Sequence, residues 1–296
     1  MIAPFSSISG IKDIISVAKY SFPIRLEIKS VILCVNSFEI FTIYIYNIVM
    51  DMQKMLSLLR KGISTYKMIK DGDKIAVGVS GGKDSVALLK LLSAYQKFSP
   101  EKFDLIAITI DLNHRDNPQD FSPIKKLCEE LNVEYEIVKT DIGEIVFHER
   151  KESNPCSLCS KMRKGALYDT AKKHGANKVA IGHHKDDLID TFILSLVYEG
   201  RLSTFHPKSY LSKTDLTLIR PMIMIKECDV YSFSKTLPVV KSTCPADKNT
   251  KREEVKTFVK NMEPLMPNVR EMIFSAITHP DRYNLFDKVI NTLDEF

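Results

Sequence analysis

Lys74-Ile75-Ala76-Val77-Gly78-Val79-Ser80-Gly81-Gly82-Lys83-Asp84-Ser85 is the stretch from which the rest of the chain can be read. Its first six residues are an apolar run of the kind a buried parallel strand requires. Val86-Ala87-Leu88-Leu89-Lys90-Leu91-Leu92 follows with apolar residues at helical spacing. A strand, a glycine turn and a helix start together aim backbone N–H groups and a positive helix end at an anion. Gly81 and Gly82 permit a sharp turn without a Cβ in the way. Ser80 and Ser85 add hydroxyl donors, and Lys83 adds a mobile positive charge. Asp84 is placed to cap the helix or to help hold a metal ion. These six residues, 80 to 85, form a candidate nucleotide-phosphate site.

The loop is not of the Walker type, which needs four residues between its first Gly and its Gly-Lys pair. Ser80 to Ser85 instead resembles the PP-loop of the ATP pyrophosphatases, enzymes that use ATP to adenylate a carbonyl oxygen.

Outward from this loop the chain alternates. Phe103 to Asp111 reads as a second strand ending in a carboxylate, Glu134 to Thr140 as a third and Lys178 to Gly182 as a fourth, with helical stretches between them. Strands alternating with helices predict an α/β fold with a doubly wound parallel sheet, whose ligands bind beyond the carboxyl ends of the strands. Ser80, Asp111 and His183 all fall at such ends. After Gly200 the alternation stops: Lys208 to Pro221 reads as a hairpin, and three short helices are expected near 227–235, 250–262 and 268–278.

With 296 residues the chain has volume for a real core, and 44% hydrophobic with 27% charged residues describes an ordinary globular protein. A net charge of +5 leans toward an anionic partner without requiring one. Residues 1–50 differ from the rest. Val31 to Met50 is long and apolar enough to suggest a membrane span, but Glu39 in its middle opposes that. We expect residues 1–50 to be an extension, either upstream sequence ahead of a native start at Met50 or Met52 or a poorly ordered segment, with an anchor as the alternative. Residues 51–70 are expected to form an N-terminal helix, 71–225 the nucleotide-binding domain, and 226–296 a small helical extension.

Six unevenly spaced cysteines exclude a secreted disulfide scaffold. Cys156 and Cys159 form one Cys-x-x-Cys at a helix start, where thiolates are favoured. A zinc site would want a second such pair, and a thioredoxin-like redox pair would sit in a much smaller fold. The third reading is an iron–sulfur cluster using a distant third cysteine; the lone Cys-x-x-Cys is a weak signal that gains weight beside residues 80 to 85. Cys244, in a polar loop beside Pro245, is the best candidate; Cys228 is the other contender, Cys128 reads as core, and Cys34 lies in the N-terminal extension.

A second candidate segment, Gly182-His183-His184-Lys185-Asp186-Asp187, follows the fourth strand. Gly182 would let the chain approach a ribose or base, and Asp186 and Asp187 are carboxylates able to bind Mg²⁺, with helix capping and surface charge as the alternative. Lys151, Lys161, Arg163, Lys164, Lys172 and Lys173 make a basic patch near the cysteines, a credible match for a polynucleotide backbone.

Together the PP-loop, Pro155-Cys156-x-x-Cys159, Gly182-His183-His184-x-Asp186-Asp187 and Cys244-Pro245 resemble the tRNA 2-thiocytidine synthetases, in order and interval, from about Met52 to about Thr278. The resemblance implies a [4Fe–4S] cluster on Cys156, Cys159 and Cys244, with the third ligand carried by the C-terminal extension. It implies ATP with Mg²⁺ as cofactors and adenylation of O2 of an anticodon-loop cytidine before sulfur replaces that oxygen. Ser80, Gly81, Gly82, Lys83, Asp84 and Ser85 would hold the phosphates, joined by Asp111, Gly182 and His183. Lys83, Asp84, Arg163 and Asp187 would be catalytic, the last two by analogy with related thiolases. tRNA and a sulfur donor such as a cysteine desulfurase are the implied partners, in a cytoplasmic homodimer without a membrane. Two departures stand out: Asp190 replaces the family's usual Glu, and Asn113-His114-Arg115 is unlike the usual sequence. The rivals are a 2-thiouridine synthetase, disfavoured because the chain lacks two further zinc-binding Cys clusters, a lysidine synthetase, which lacks the cysteine triad, and a non-catalytic ATP-binding iron–sulfur sensor.

Overall fold

The computed structural model describes residues 52–113, 118–150, 155–241, 243–244 and 251–285. All belong to the unit Met50–Phe296, so the expectations for residues 1–50 and for Cys34 lie outside the described residues.

Helix α1 (residues 52–65) buries Met55, Leu59 and Ile63, one apolar stripe at helical spacing. It stops short of the expected Lys70, because Lys67 takes a left-handed backbone (φ 47°). Then come β1 (Asp73–Gly78), α2 (Lys83–Gln96), β2 (Phe103–Asp111), α3 (Ser122–Leu131) and β3 (Glu134–Lys139). A short helix α4 (Ile142–Glu144) runs into a π turn (Ile145–Glu149). Next are α5 (Pro155–Lys173), β4 (Lys178–Ala180) and α6 (Lys185–Glu199). The hairpin is β5 (Lys208–Leu211) with β6 (Leu216–Ile219), and the C-terminal helices are α7 (Glu227–Ser234), α8 (Lys251–Met262) and α9 (Val269–Thr278).

The six strands form one sheet in the order β3-β2-β1-β4-β6-β5. All neighbours are parallel except β5, which pairs antiparallel with β6. The doubly wound α/β reading is correct, with an antiparallel edge added by the hairpin. β1 and β4 are buried on both faces: Ile75, Ala76, Val77, Val179 and Ala180 are all fully inaccessible, which is why these strands read as unbroken apolar runs.

Chain order reverses between β1 and β4. From β1 the chain winds outward through β2 to β3, then crosses back to place β4 on β1's other side, with Val77 opposite both Ala107 and Ala180. The two loops leaving the carboxyl ends of β1 and β4 therefore diverge and leave a crevice. The C-terminal helices pack onto the same part of the molecule, α7 against α2 and both α8 and α9 against α6. Among the described residues no helix is long and apolar enough to cross a membrane.

Candidate active site

Ser80 to Ser85 forms a closed turn between β1 and α2. Gly81 has a φ of +84°, a conformation that L side chains rarely adopt. The Ser85 hydroxyl donates to Gly82 O (2.9 Å) and accepts from Ser80 N–H (3.1 Å), with the Ser80 hydroxyl also 3.1 Å away. Ser85 is thus occupied in bracing the loop from a buried position, whereas Ser80 is exposed. The chain returns over this loop at Val240, whose N–H donates to Gly81 O (2.9 Å).

The crevice holds a cavity of about 470 Å³. The β1 side of its wall carries Ser80, Gly82, Asp84 and Ser85, and the β4 side carries Gly182, His183 and Asp187. Helix α5 contributes Cys156, Cys159, Arg163 and Lys164, and Cys244 closes the ring. Most of the sequence-derived site residues thus meet at one place, but Gly81, Lys83, Asp111 and Asp186 are not part of its wall. Asp111 uses a carboxylate oxygen to accept Asn113 N–H (2.9 Å). Asp186, expected as a metal ligand, is buried and committed elsewhere: it accepts from Arg270 (2.8 Å) and from Glu227 N–H (2.7 Å), tying α9 and α7 to α6.

Lys83 pairs with neighbouring carboxylates rather than lining the cavity. Its Nζ lies 2.7 Å from Asp84 and 3.1 Å from Glu227, and Glu227 also accepts from Lys256 (2.7 Å). Burial pushes the Glu227 pKa up, but the bonds from Lys256 and Lys83 outweigh it and hold the carboxyl at about 2. Gly182 lines the cavity and has a packing reason as well: a Cβ there would lie 2.8–3.0 Å from the backbone of Asp84 and Ser85, so its missing side chain makes room for the first turn of α2.

Asp187 and His184 form a reciprocal cap on α6: Asp187 accepts His184 N–H (3.0 Å) while His184 Nδ1 accepts Asp187 N–H (3.4 Å). The other Asp187 oxygen meets Arg252 of α8 (3.3 Å). His183 stacks on Phe205 (4.8 Å between centroids, 28° between planes), and Arg220 Nε donates to its Nδ1 (3.1 Å). Burial lowers the His183 pKa to about 4; Arg220, Arg252 and Lys164 reinforce this against the pull of Asp187.

The three cysteines line one wall. Cys156 is exposed at the first turn of α5, Cys159 is buried one turn later, and Cys244 is half-buried. Burial raises the Cys159 pKa, Arg163 opposes that, and the sulfurs of Cys244 and Cys156 raise it further, so the three groups feel one another. Among the described residues no three His, Cys, Asp or Glu side chains converge on a single metal ion. Three thiols lining one cavity are a donor set that a multinuclear cluster can use. Cys128 is buried in α3 with its pKa pushed up to about 12, the core residue its sequence context suggests.

Glu227, Arg252, Arg270, Phe205 and Arg220 were not singled out for the site from the sequence. Arg220 falls within the span of the family resemblance, but nothing local to the other four marks them, because long-range packing brings them against the site residues.

A parallel sheet with a phosphate-type loop at its switch point defines a PP-loop protein, and the PP-loop domain family matches residues 50–263. tRNA-cytidine(32) 2-sulfurtransferase of Dechloromonas aromatica is 36% identical over 243 residues, covering 79% of this chain and 84% of that protein. Its counterpart in Pseudomonas entomophila is 37% identical over 253 residues, with 82% and 91% covered. Among solved structures, the U34-tRNA thiolase NcsA of Methanococcus maripaludis with its [4Fe–4S] cluster superposes with a TM-score of 0.63 at 26% identity, covering 80% and 81%. The chain belongs to the tRNA-cytidine 2-sulfurtransferase family of PP-loop proteins: it is a sulfurtransferase, and its chemistry is tRNA thiolation.

Proposed function

We propose that the protein converts a cytidine of the tRNA anticodon loop, at position 32, to 2-thiocytidine. The position follows the names of its relatives. One observation carries the reading: a single cavity is lined both by the PP-loop and by Cys156, Cys159 and Cys244. Activation by phosphate chemistry and delivery of sulfur then share one space.

The carbonyl oxygen of a ring amide is a poor leaving group. O2 of the cytidine attacks the α-phosphorus of ATP, the bond to pyrophosphate breaks, and C2 then carries AMP as a good leaving group. Sulfide-level sulfur attacks C2, the C–S bond forms, and AMP departs. The backbone N–H groups of Gly81 and Gly82 and the start of α2 would hold phosphate. Lys83 would leave Glu227 for the triphosphate and stabilise charge on the reacting phosphorus. Mg²⁺ would enter with ATP beside Asp84 and Asp187, the carboxylates of the two strand ends on the cavity wall. Arg163 and Lys164 would meet the tRNA backbone and hold the base's surroundings positive.

A [4Fe–4S] cluster on Cys156, Cys159 and Cys244 would supply an iron without a protein ligand, on which external sulfur can be held. A sulfur donor of the cysteine desulfurase class and a homodimeric state belong to the same reading.

The test is anaerobic. Protein purified without air should carry about four irons per chain together with labile sulfide, and Cys244→Ala should lose both. With tRNA, ATP, Mg²⁺ and sulfide it should form 2-thiocytidine and release AMP and pyrophosphate. Lys83→Ala should slow this by roughly 10²–10³-fold. One zinc and no sulfide would overturn the cluster. 2-Thiouridine at position 34 would move the protein beside its archaeal structural neighbour.

A further inference from the structure

We propose that His183 determines which base is accepted: a neutral imidazole locked with its proton on Nε2, it donates a hydrogen bond to ring N3 of the pyrimidine being thiolated. This rests on the thiolation reading above.

The lock follows from hydrogen-bonding capacity. Arg220 Nε lies 3.1 Å from His183 Nδ1. A guanidinium has only donors, so Nδ1 must accept and carries no proton. A neutral imidazole holds one proton, which is therefore on Nε2. The support is itself fixed. Arg220 is 7% exposed, donates to His206 O (2.5 Å) and sits over the Phe205 ring (4.7 Å), the same ring on which His183 stacks. His183 lines the cavity while Phe205 and Arg220 stay outside its wall. With Nδ1 held by Arg220, Nε2 is the ring nitrogen left for a ligand in the cavity.

A hydroxyl at this place could donate or accept by rotating. A ring nitrogen with a fixed proton can only donate, and so discriminates. Cytosine presents a lone pair at N3, beside the O2 that reacts; uracil presents a proton there. A bound uracil would set N–H against N–H in a buried site, leaving both unpaired. Arg220 and Phe205 are positioning residues for this donor.

The experiment compares kcat/KM for tRNA carrying C or U at the target position, alongside ¹⁵N NMR of the histidine rings of the full-length protein at neutral pH. Wild type should show His183 as the Nε2–H tautomer. His183→Ala should lower kcat/KM for the cytidine tRNA and reduce the C-over-U ratio by roughly 10–100-fold, a larger effect than any on the KM for ATP. His183→Gln, whose amide nitrogen reaches the place of Nε2, should keep most of the ratio; His183→Asn, which does not reach, should lose it. Arg220→Met should leave His183 present but mix its tautomers, and the ratio should fall with them, which a merely structural role would not cause. An Nδ1–H tautomer in the wild type overturns the proposal without any variant. So does an unchanged ratio in His183→Ala, or a rise in the KM for ATP in place of the tRNA effect. Wild type that thiolates neither base removes the function reading itself, and the control shows this before any variant is compared.

Discussion

A methyl group added at Gly182 would lie 2.8 Å from Asp84 C, 2.9 Å from Asp84 O and 3.0 Å from Ser85 N. All three are backbone atoms, so no side chain can yield, and the first turn of α2 must shift. Gly182→Ala should therefore destabilise by about 1–3 kcal/mol and also weaken ATP use, because the displaced turn presents the phosphate-binding N–H groups. Urea unfolding and the KM for ATP check this together; a stability loss with an unchanged KM would show that the turn does not move. Asp190 shows a different constraint. It is 3% exposed, and its Oδ1 lacks a hydrogen bond and lies 3.7 Å from Arg270. Burial raises its pKa to about 6, the carboxylates of Asp186 and Asp187 add to the rise, and Arg270 and Lys256 oppose it. A folded-state pKa above the unfolded value gives stability that is complete below about pH 4 and lost as pH rises through about 6. The charged carboxylate then costs up to about 3 kcal/mol at neutral pH. Asp190→Asn should gain stability relative to wild type as pH rises from about 4 to 6, then hold that gain. A pH-independent difference would mean that Asp190 does not titrate there.

Helix α7 acts on the site through its first residue. Glu227 bridges Lys83 of α2 and Lys256 of α8, while its N–H reaches Asp186 of α6, so one side chain and one peptide join four helices. Its pKa is depressed to about 2, so its stabilising contribution is present above the unfolded value near 4.3 and lost as pH falls toward 2. Glu227→Gln should lose roughly 2–3 kcal/mol at neutral pH, with the deficit shrinking in acid. The KM for ATP should fall, since the triphosphate no longer competes with Glu227 for Lys83. A raised KM would instead mean that Glu227 orients Lys83 toward the nucleotide. Nothing in Lys226-Glu227-Cys228 announces this role. The loop 80–85 was legible because strand, turn and helix are local and each residue type has a local reason. Cys156 and Cys159 were legible from spacing within one helical turn, and Cys244 from its polar loop. Glu227, Arg252 and Arg270 were not, because their contacts with Lys83, Lys256, Asp187 and Asp186 span 29 to 144 positions. Gly182 was legible as a place of close approach, but its sequence context does not announce that the first turn of α2 lies against it.

Across the whole molecule the sheet separates chemistry from anchorage. The carboxyl ends of β1 and β4 carry the reactive cavity. At their opposite ends Asp73 and Lys178, 4% and 5% exposed, form a buried ion pair between the same two strands. Burial pushes the Asp73 carboxyl up, but bonds from Lys178, Lys70 N–H and the Asn177 amide outweigh it and hold the pKa below the ordinary range. The bonds that Asp73 accepts come from the turn before β1, the turn into β4 and the first residue of β4, so they tie the starts of the two strands together. Removing one partner leaves a buried charge without its counterion. Lys178→Met alone should cost about 3–5 kcal/mol, whereas Asp73→Asn with Lys178→Met should recover much of that loss. Activity per folded molecule should hold in the double variant at temperatures where it stays folded, because no atom of the pair reaches the cavity. A double variant as unstable as the single would show that the pair contributes more than mutual neutralisation. A fall in kcat at full folding would show that the register at the anchored end is transmitted along β1 and β4 to Ser80 and His183.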